Sequence, residues 1–242
     1  MKILITGASS GLGSEFARQY ASKENELFLL ARREEKLLLL KEELLQKCKN
    51  VTLIIADVRS FEILQTKIKA LPDIDMLILN AGISLGHTDR IPTITAFKEL
   101  YDVNVLANHA ILEVLLPRMS VKRSGKIVFI SSLSSLFTMP SAKVYASSKR
   151  ALNAYAEGIR YEYAKDNIKV ITILPGFIKS ELTDKNKFKM PFLLETEEGV
   201  KRMKNAIDKS KEFYAFPLRF YLIIKVLNLL PSRVIQKIVE SF

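Results

Sequence analysis

Short apolar runs alternate with longer helical patterns through most of the chain. The runs are rich in isoleucine, valine and leucine, as is typical of strands that are buried on both faces of a sheet. They lie at residues 2–6, 26–31, 51–56, 76–80, 126–131 and 169–174. Strands that alternate with helices are parallel and are joined by right-handed crossovers. The pattern predicts one α/β domain over residues 1–242, a doubly wound parallel sheet of about seven strands with helices on both faces.

The pattern changes after residue 176. Residues 177–212 begin lysine-rich and irregular and continue into a helical stretch, and we expect this segment to cover a substrate. Residues 213–242 form an apolar C-terminal extension, interrupted at Pro217, Arg219 and Lys225, which makes it a poor transmembrane span. Its alternatives are packing in the core, a subunit interface and weak contact with a membrane surface.

The first predicted strand leads directly into a glycine-rich turn and a helical stretch. The turn reads Thr6-Gly7-Ala8-Ser9-Ser10-Gly11-Leu12-Gly13. Gly7 can adopt backbone angles that a side chain forbids, Gly11 lets the main chain approach a phosphate, and Gly13 lets the helix pack against the strand. The helix N-terminus then offers free N–H groups to a pyrophosphate. A simple tight turn is the alternative, but the position after the first strand favours a dinucleotide-binding site.

The chain is basic, with 37 Lys and Arg against 26 Asp and Glu and a formal net charge of +11. Such a charge suits nucleic acid, an anionic membrane surface or an anionic cofactor. Basic and acidic residues are interleaved on most predicted helices, as over residues 32–49. This arrangement argues against a nucleic-acid partner.

Histidine and cysteine are scarce. His87 and His109 with the single cysteine, Cys48, are too few for a convincing metal site. One cysteine also excludes an intramolecular disulfide, which favours a reducing compartment. Only Met1 and Lys2 precede the apolar part of the first strand, so we expect no signal peptide and a cytoplasmic protein.

A tyrosine and a lysine stand four residues apart, at Tyr145 and Lys149, about one helical turn. The two side chains would project from the same helix face. A free tyrosine has a pKa of about 10, and a fixed cation beside it lowers that pKa because it stabilises the phenolate. A solvated helix face is the alternative, but the pair is also suited to general acid–base catalysis at neutral pH.

The order and spacing of several motifs resemble the short-chain dehydrogenase/reductase family over roughly residues 1–180. Besides the glycine turn, the matching residues are Asp57-Val58, Asn80-Ala81-Gly82, Asn104, Ser132, Tyr145 with Lys149, and Pro175-Gly176. The resemblance implies a Rossmann-type fold, an NAD(P)-dependent oxidoreductase and a homodimer or homotetramer. The helices expected at 97–119 and 144–165 are candidate interfaces.

The resemblance also implies a catalytic set. Tyr145 would be the proton donor, and Ser132, thirteen residues before it as in the family, would hydrogen-bond the same substrate oxygen. Lys149 would hold the nicotinamide ribose and, with the charge of the oxidised ring, lower the pKa of Tyr145. Asn104 would anchor a water beside the lysine; its alternative is a polar residue that bends a helix.

The end of the second strand bears on cofactor choice. An NAD site usually has an acidic residue there, whereas a 2′-phosphate needs a cation in its place. Here Arg32 could bind the phosphate in a bidentate way, with Arg33 adding charge or stacking on adenine. A salt bridge from Arg33 to a helical glutamate such as Glu35 is the alternative. The sequence favours NADP over NAD.

Further cofactor contacts are implied by the resemblance. Asp57 and Val58 would meet the adenine, although Asp57 could instead cap the next helix. Ile178 and Ser180 would contact the nicotinamide carboxamide. The complete expected cofactor set is Gly7, Ser9, Ser10, Gly11, Leu12, Gly13, Arg32, Arg33, Asp57, Val58, Asn80, Ala81, Gly82, Tyr145, Lys149, Pro175, Gly176, Ile178 and Ser180.

The expected substrate pocket is mostly apolar, which favours a hydrophobic carbonyl compound. Its lining would be residues 83–86, Leu133, Phe137, Phe177 and residues 181–194. The leading hypothesis is an NADP-dependent oxidoreductase acting on a carbonyl or secondary alcohol. The alternatives are a membrane-surface reductase of a lipid-like carbonyl compound and a catalytically weak NADP-binding sensor or scaffold.

Overall fold

The computed structural model describes residues 1–86, 91–185 and 190–240. In this part of the chain one seven-stranded sheet runs in the order β3-β2-β1-β4-β5-β6-β7, with every neighbouring pair parallel. The strands are β1 (Lys2–Thr6), β2 (Glu26–Ala31), β3 (Asn50–Ile55), β4 (Met76–Leu79), β5 (Gly125–Ile130), β6 (Ile168–Pro175) and β7 (Phe213–Phe216). The predicted doubly wound parallel sheet is confirmed.

Helices follow the strands and cover both faces of the sheet. They are α1 (Gly11–Tyr20), α2 (Glu34–Leu45), α3 (Phe61–Lys69), α4 (Ile94–Tyr101), α5 (Ala107–Lys122), α6 (Lys143–Glu162), α7 (Thr196–Asp208), α8 (Leu218–Leu227) and α9 (Ser232–Glu240). The chain winds outward from β1 to β3 and then returns to β4 on the other side of β1. A crevice opens at such a reversal, outside the carboxyl ends of the strands, and ligands bind there.

Alternate residues of each central strand enter two different cores. In β1, Ile3 and Ile5 pack in the core that includes α1, α2 and α7, whereas Leu4 packs in the core that includes α3, α5 and α6. This follows from the two-residue period of a strand. Each fully buried side chain of this kind contributes about 1.5–3 kcal/mol, so the apolar runs of the sequence become the central layer of the domain.

The seventh strand was not predicted as a strand. Phe213–Phe216 pairs in parallel with β6, and the Gly176 N–H donates to the Phe216 carbonyl at 2.7 Å. The sequence analysis placed these residues in the C-terminal extension, because four residues are too few to show a strand period. Within this strand Phe216 is buried in the first core, whereas Phe213 is 46% exposed. Residues 241–242 of the expected extension lie outside the described part.

The segment expected to cover a substrate, residues 177–212, is divided between two environments. Its helix α7 packs against α1 and contributes Val200, Met203 and Ile207 to the core. This helix is therefore part of the first core, whereas Ser180, which precedes it, lies beside the glycine turn. Residues 186–189 of this segment are outside the described residues.

Exposed apolar side chains concentrate on α8 and just after it, including Leu222, Val226 and Leu229. In the described ranges, neither this helix nor any other is long and apolar enough to cross a membrane. Weak contact of the C-terminal segment with a membrane surface stays a prediction.

The close approach of α1 to the glycine turn leads to a stability prediction. A Cβ atom at Gly13 would lie 2.2 Å from the Gly7 carbonyl oxygen, whereas one at Gly158 in α6 would meet no atom within 4 Å. We expect Gly13→Ala to lower the free energy of unfolding by more than about 2 kcal/mol. Gly158→Ala should raise it by about 0.5–1 kcal/mol. Urea denaturation followed by circular dichroism measures both, and similar midpoints for the two variants would contradict the close approach.

Candidate active site

The glycine turn is tied to the carboxyl end of β4 through Thr6. The backbone N–H groups of Asn80 and Ala81 donate to the buried Thr6 hydroxyl at 3.0 and 2.9 Å, and the Asn80 amide donates to the Thr6 carbonyl at 3.0 Å. Gly7 adopts a φ of 68°, and a Cβ atom there would lie 3.0 Å from Ala81 Cα. Residue 7 therefore has to be glycine. The backbone of the turn is left without a side chain at this position.

The turn suits a phosphate group. Ser10 is the N-cap residue of α1, and its side chain makes no capping bond. The backbone N–H groups at this helix end can therefore donate to another acceptor. Gly11 has a φ of 53°, and a Cβ atom added there would lie 3.3 Å from Ser180 Cβ. Leu12 is half-buried against the first core. A helix N-terminus beside a bare backbone is a recurrent pyrophosphate site, so these residues fit a dinucleotide.

Arg33 is the arginine that reaches the glycine turn. Its guanidinium donates to Ser9 Oγ at 3.0 Å and to Ser10 Oγ at 2.5 Å. It also pairs with Glu181, with 2.8 Å between Nη1 and Oε2. A salt bridge to a glutamate was expected as the alternative role of Arg33, but the partner comes from beyond β6 rather than from α2.

Arg32 lies further from the turn. Its side chain is 63% exposed and stands 3.6 Å from Asp57. Asp57 is held mainly by Arg59, whose backbone N–H donates to it at 2.9 Å and whose guanidinium lowers the pKa of Asp57 to about 2. The N-cap residue of α3 is Ser60, so the alternative role of Asp57 as a cap is not found. Val58 is half-buried beside the second core.

Asn104 lies in a short π-helical turn that joins α4 to α5, at Asp102–Leu106. The sequence pattern predicted one uninterrupted helix over this stretch. The Asn104 side chain is fully buried; it accepts from the Ile83 N–H at 2.8 Å and donates to the Ile83 carbonyl at 3.0 Å. Its amide also donates to Ser148 Oγ at 3.0 Å. Asn104 thus fixes α6 and the segment just after Gly82 in one place.

Ser132 lies two residues after the end of β5. Its hydroxyl accepts from the Ser134 N–H at 3.2 Å and from the Ser134 hydroxyl at 3.0 Å. It also hydrogen-bonds the Tyr145 hydroxyl, which tends to lower the pKa of that tyrosine. Ser131 and Ser135 are buried and bond elsewhere. Ser132 is therefore the serine of this run that meets Tyr145.

Tyr145 and Lys149 lie on one face of α6, as their spacing predicted. Lys149 Nζ is 5.7 Å from the centre of the Tyr145 ring and donates to the Ile130 carbonyl at 2.9 Å. A Cβ atom at Gly82 would lie 3.4 Å from Lys149 Nζ. The amine thus sits between the carboxyl ends of β4 and β5.

The pKa of Tyr145 moves in the direction opposite to the one expected. Burial raises the pKa of Tyr145 to about 12, which outweighs the opposing effect of the Ser132 hydrogen bond. Burial also lowers the pKa of Lys149 to about 8. The expected decrease included the positive charge of an oxidised nicotinamide. From the protein's own groups alone, Tyr145 holds its proton at neutral pH.

The first residues after β6 contact the residues just before α7. Ile178 is buried and forms a parallel bridge with Leu194. Its carbonyl accepts from Ser180 Oγ at 3.4 Å and from Thr183 Oγ1 at 2.9 Å. Pro175 ends β6, and Gly176 bonds to β7. The residues expected at the nicotinamide end are therefore together at one place.

One wall of the expected substrate pocket was missed by the sequence analysis. Phe220 of α8 stacks on Phe177 at 5.9 Å between ring centres and meets Phe192 at 5.8 Å. Leu133 packs against Ile224 of the same helix. Core packing was one alternative for the apolar residues after Pro217, but the sequence did not show which element they would meet.

Two of the remaining expectations concern histidine and metal. His109 is exposed and makes a 2.7 Å hydrogen bond to the Tyr155 hydroxyl, whereas His87 lies outside the described residues. No group of His, Cys, Asp and Glu in the described ranges could hold a metal ion. Cys48 is buried and free.

Comparison with known proteins identifies the class and then the family. A family model for short chain dehydrogenases matches residues 1–190. An uncharacterized oxidoreductase of Mycobacterium tuberculosis is 34% identical over 244 residues, covering 98% of this chain and 96% of that protein. The protein is therefore an oxidoreductase with a Rossmann-type sheet. More narrowly, the chain belongs to the short-chain dehydrogenase/reductase family.

Solved structures share the fold at lower identity. A short-chain dehydrogenase from Sphingobium yanoikuyae in complex with NADPH has a TM-score of 0.85 at 22% identity, covering 100% of this chain and 96% of that one. An alcohol dehydrogenase from Comamonas testosteroni, specific for bulky-bulky ketones, has a TM-score of 0.82 at 21% identity, covering 96% and 95% of the two chains.

The buried amine leads to a pH prediction. Lys149 has its ordinary pKa of 10.5 in the unfolded chain and about 8 in the folded protein. Between these values the unfolded chain binds more protons, so the contribution of Lys149 to the free energy of unfolding rises with pH. We expect the free energy of unfolding of the wild-type protein to increase from pH 8 to pH 10 relative to that of Lys149→Met.

Urea denaturation of both proteins at intervals of pH measures this difference. Lys165→Met, which changes an exposed lysine just after α6, is the control and should show no such trend. A difference that stays constant over the same range would mean that the Lys149 amine is not desolvated.

Proposed function

We propose that this protein transfers a hydride between NADP and a carbonyl or secondary alcohol substrate, with Tyr145 as the general acid and base. The proposal is carried by one observation: Ser132, Tyr145 and Lys149 meet at the carboxyl edge of the sheet, beside a glycine turn that fits a dinucleotide. The chemistry of carbonyl reduction needs both a hydride donor and a proton donor at that edge. The bound nicotinamide supplies the hydride.

In reduction, the phenol of Tyr145 gives its proton to the substrate oxygen as negative charge develops there. Its raised pKa keeps that proton available at neutral pH. Ser132 donates a second hydrogen bond to the same oxygen. The Lys149 amine, anchored by the Ile130 carbonyl, stabilises the phenolate left on Tyr145. Asn104 holds the adjacent backbone and α6 in place and, as the family resemblance implies, keeps a water beside the amine.

NADP is the proposed cofactor because cations, not carboxylates, follow β2. Arg33 is directed at the glycine turn by its bonds to Ser9 and Ser10, and Arg32 stands beside Asp57. The NADPH in the Sphingobium yanoikuyae structure is consistent with this choice. The nicotinamide contacts that we propose are those of Pro175, Gly176, Ile178 and Ser180.

The proposed substrate is a hydrophobic carbonyl compound. Leu133, Phe137 and Phe220 belong to one apolar cluster just after Ser132, and Phe177 stacks on Phe220. The bulky ketones of the Comamonas testosteroni enzyme are compatible with such a wall. The membrane-surface reductase stays an alternative, supported by the exposed apolar face of α8.

We also propose a homodimer or homotetramer. Exposed apolar side chains on or beside the helices expected at interfaces support it, among them Leu106 and Tyr161, with exposures of 46% and 69%. Cytoplasmic location stays a prediction, for which the buried, free Cys48 is the supporting residue.

Replacing the phenol tests the catalytic role and separates an enzyme from a sensor or scaffold. We expect Tyr145→Phe to lower kcat for carbonyl reduction by about a hundredfold or more, because general acid catalysis is lost, while the Kd for NADPH changes little. Loss of NADPH absorbance over a panel of carbonyl compounds, with NADH in parallel, gives the rates. Tyr155→Phe, on the same helix but bonded to His109, is the matched control. Equal rates for the wild-type protein and Tyr145→Phe would refute the proposal.

Replacing each arginine tests the choice of cofactor. We expect Arg33→Ala to lower kcat/KM for NADPH by about tenfold or more and to leave that for NADH nearly unchanged, because charge-assisted hydrogen bonds to a phosphate are lost. Arg32→Ala, which removes the same charge one residue earlier, should have the smaller effect. Equal losses with NADPH and NADH in Arg33→Ala would show that this side chain does not recognise the 2′-phosphate.

A further inference from the structure

A carboxylate occupies the centre of the cationic group at the end of β2. Glu181 Oε2 accepts from Arg33 Nη1 at 2.8 Å and from Ser10 Oγ at 3.0 Å, and Oε1 accepts from Lys36 Nζ at 2.7 Å. Arg33 lies just before α2 and Lys36 in its first turn, whereas Ser10 belongs to the glycine turn and Glu181 to the segment after β6. Three parts of the chain thus converge on one anionic group.

The donors around Glu181 are those that a phosphate monoester would use. An arginine, a lysine and a serine hydroxyl give charge-assisted hydrogen bonds from separate directions, and Ser9 Oγ lies 3.0 Å from the same arginine. The bonds from Lys36 and Arg33 lower the pKa of Glu181 to about 2. The carboxylate therefore stays ionised at every pH near neutrality, and only another anion or a high salt concentration competes with it.

We propose that Glu181 holds the place of the cofactor's 2′-phosphate, competes with it, and so acts as a residue that determines cofactor selectivity, with Lys36 as a further ligand of that phosphate. This inference rests on the NADP preference proposed above. It adds two residues to the expected cofactor set, Lys36 and Glu181, of which Glu181 was expected in the lining of the substrate pocket.

Displacement of Glu181 would also affect the neighbouring pyrophosphate site. Ser180 lies over the glycine turn, close enough that a Cβ atom at Gly11 would be 3.3 Å from Ser180 Cβ. While the Glu181 pairs persist, Ser180 is held over the backbone that a pyrophosphate would approach. An anion that takes the donors from Glu181 would release this segment.

The ion pairs of Glu181 are exposed enough for Arg33 and Lys36 to change partners. The Arg33, Lys36 and Glu181 side chains are 38%, 48% and 52% exposed. Exposed pairs are weak and are screened by salt. They can keep the segment in place without a ligand and still give way to a phosphate, which carries more charge than a carboxylate.

The test uses ligands that differ only in the 2′-phosphate, 2′,5′-ADP and 5′-AMP, titrated calorimetrically into the full-length protein. We expect Glu181→Gln to tighten 2′,5′-ADP binding by about three- to tenfold, because the competitor is removed. Binding of 5′-AMP should change much less. Glu195→Gln, which removes the same charge from a residue on the same segment paired with Lys179, is the control and should leave the Kd for 2′,5′-ADP unchanged.

The outcomes separate this inference from the cofactor proposal. If the wild-type protein prefers 2′,5′-ADP and Glu181→Gln does not strengthen that preference, the competition is refuted and the NADP proposal stands. If neither protein distinguishes the two ligands, both are refuted. A preference that appears only in Glu181→Gln supports the competition.

A second variant tests Lys36 itself. In the Glu181→Gln background, Lys36→Met should cancel most of the gain in 2′,5′-ADP affinity. Lys41→Met, further along α2, removes the same charge away from the donors and should leave the gain intact. Equal losses of 2′,5′-ADP affinity in the two lysine variants would show that Lys36 acts only through its charge and is not a ligand of the phosphate.

Discussion

The buried amine of Lys149 is the constraint on which the catalytic arrangement depends. Its side chain is 3% exposed, and an ammonium group removed from water is costly unless fixed dipoles replace its hydration. The Ile130 carbonyl and the Tyr145 ring supply part of that replacement. Both must therefore stay in place, which requires α6 to be fixed against the ends of β4 and β5. The bonds of Asn104 and Ser148 provide that fixation.

The two ends of the crevice work under different electrostatic conditions. Around Tyr145 the effect of burial outweighs the Ser132 hydrogen bond, so the phenol keeps its proton. Around Arg33 the groups are half-exposed, so the charges are screened and partners can exchange. A fixed proton donor is needed where bonds are made and broken, whereas a readily exchanged ion pair is suited to admitting a charged ligand.

Much of the fold could be predicted because local sequence carries it. Six strands appear as apolar runs, and the glycine turn identifies the first crossover. β7 could not be found in this way, because its four residues are held by pairing with β6 and not by a period of their own. The sequence pattern favoured Arg32 as the phosphate ligand and could not show that Arg33 is the arginine that reaches the glycine turn. Adjacent residues point in different directions, and only the backbone at the end of β2 determines which one faces the glycine turn.

The sequence by itself determined which groups share a helix face, which residues must be glycine and which family the chain resembles, because spacing and side-chain size act locally. The direction of the Tyr145 pKa shift was decided only by the tertiary structure, since burial depends on every element packed around the ring. So was the meeting of Glu181 with Arg33, which stand 148 positions apart. Electrostatic free energies depend on distance in space and on access to water, and neither quantity can be read along the chain.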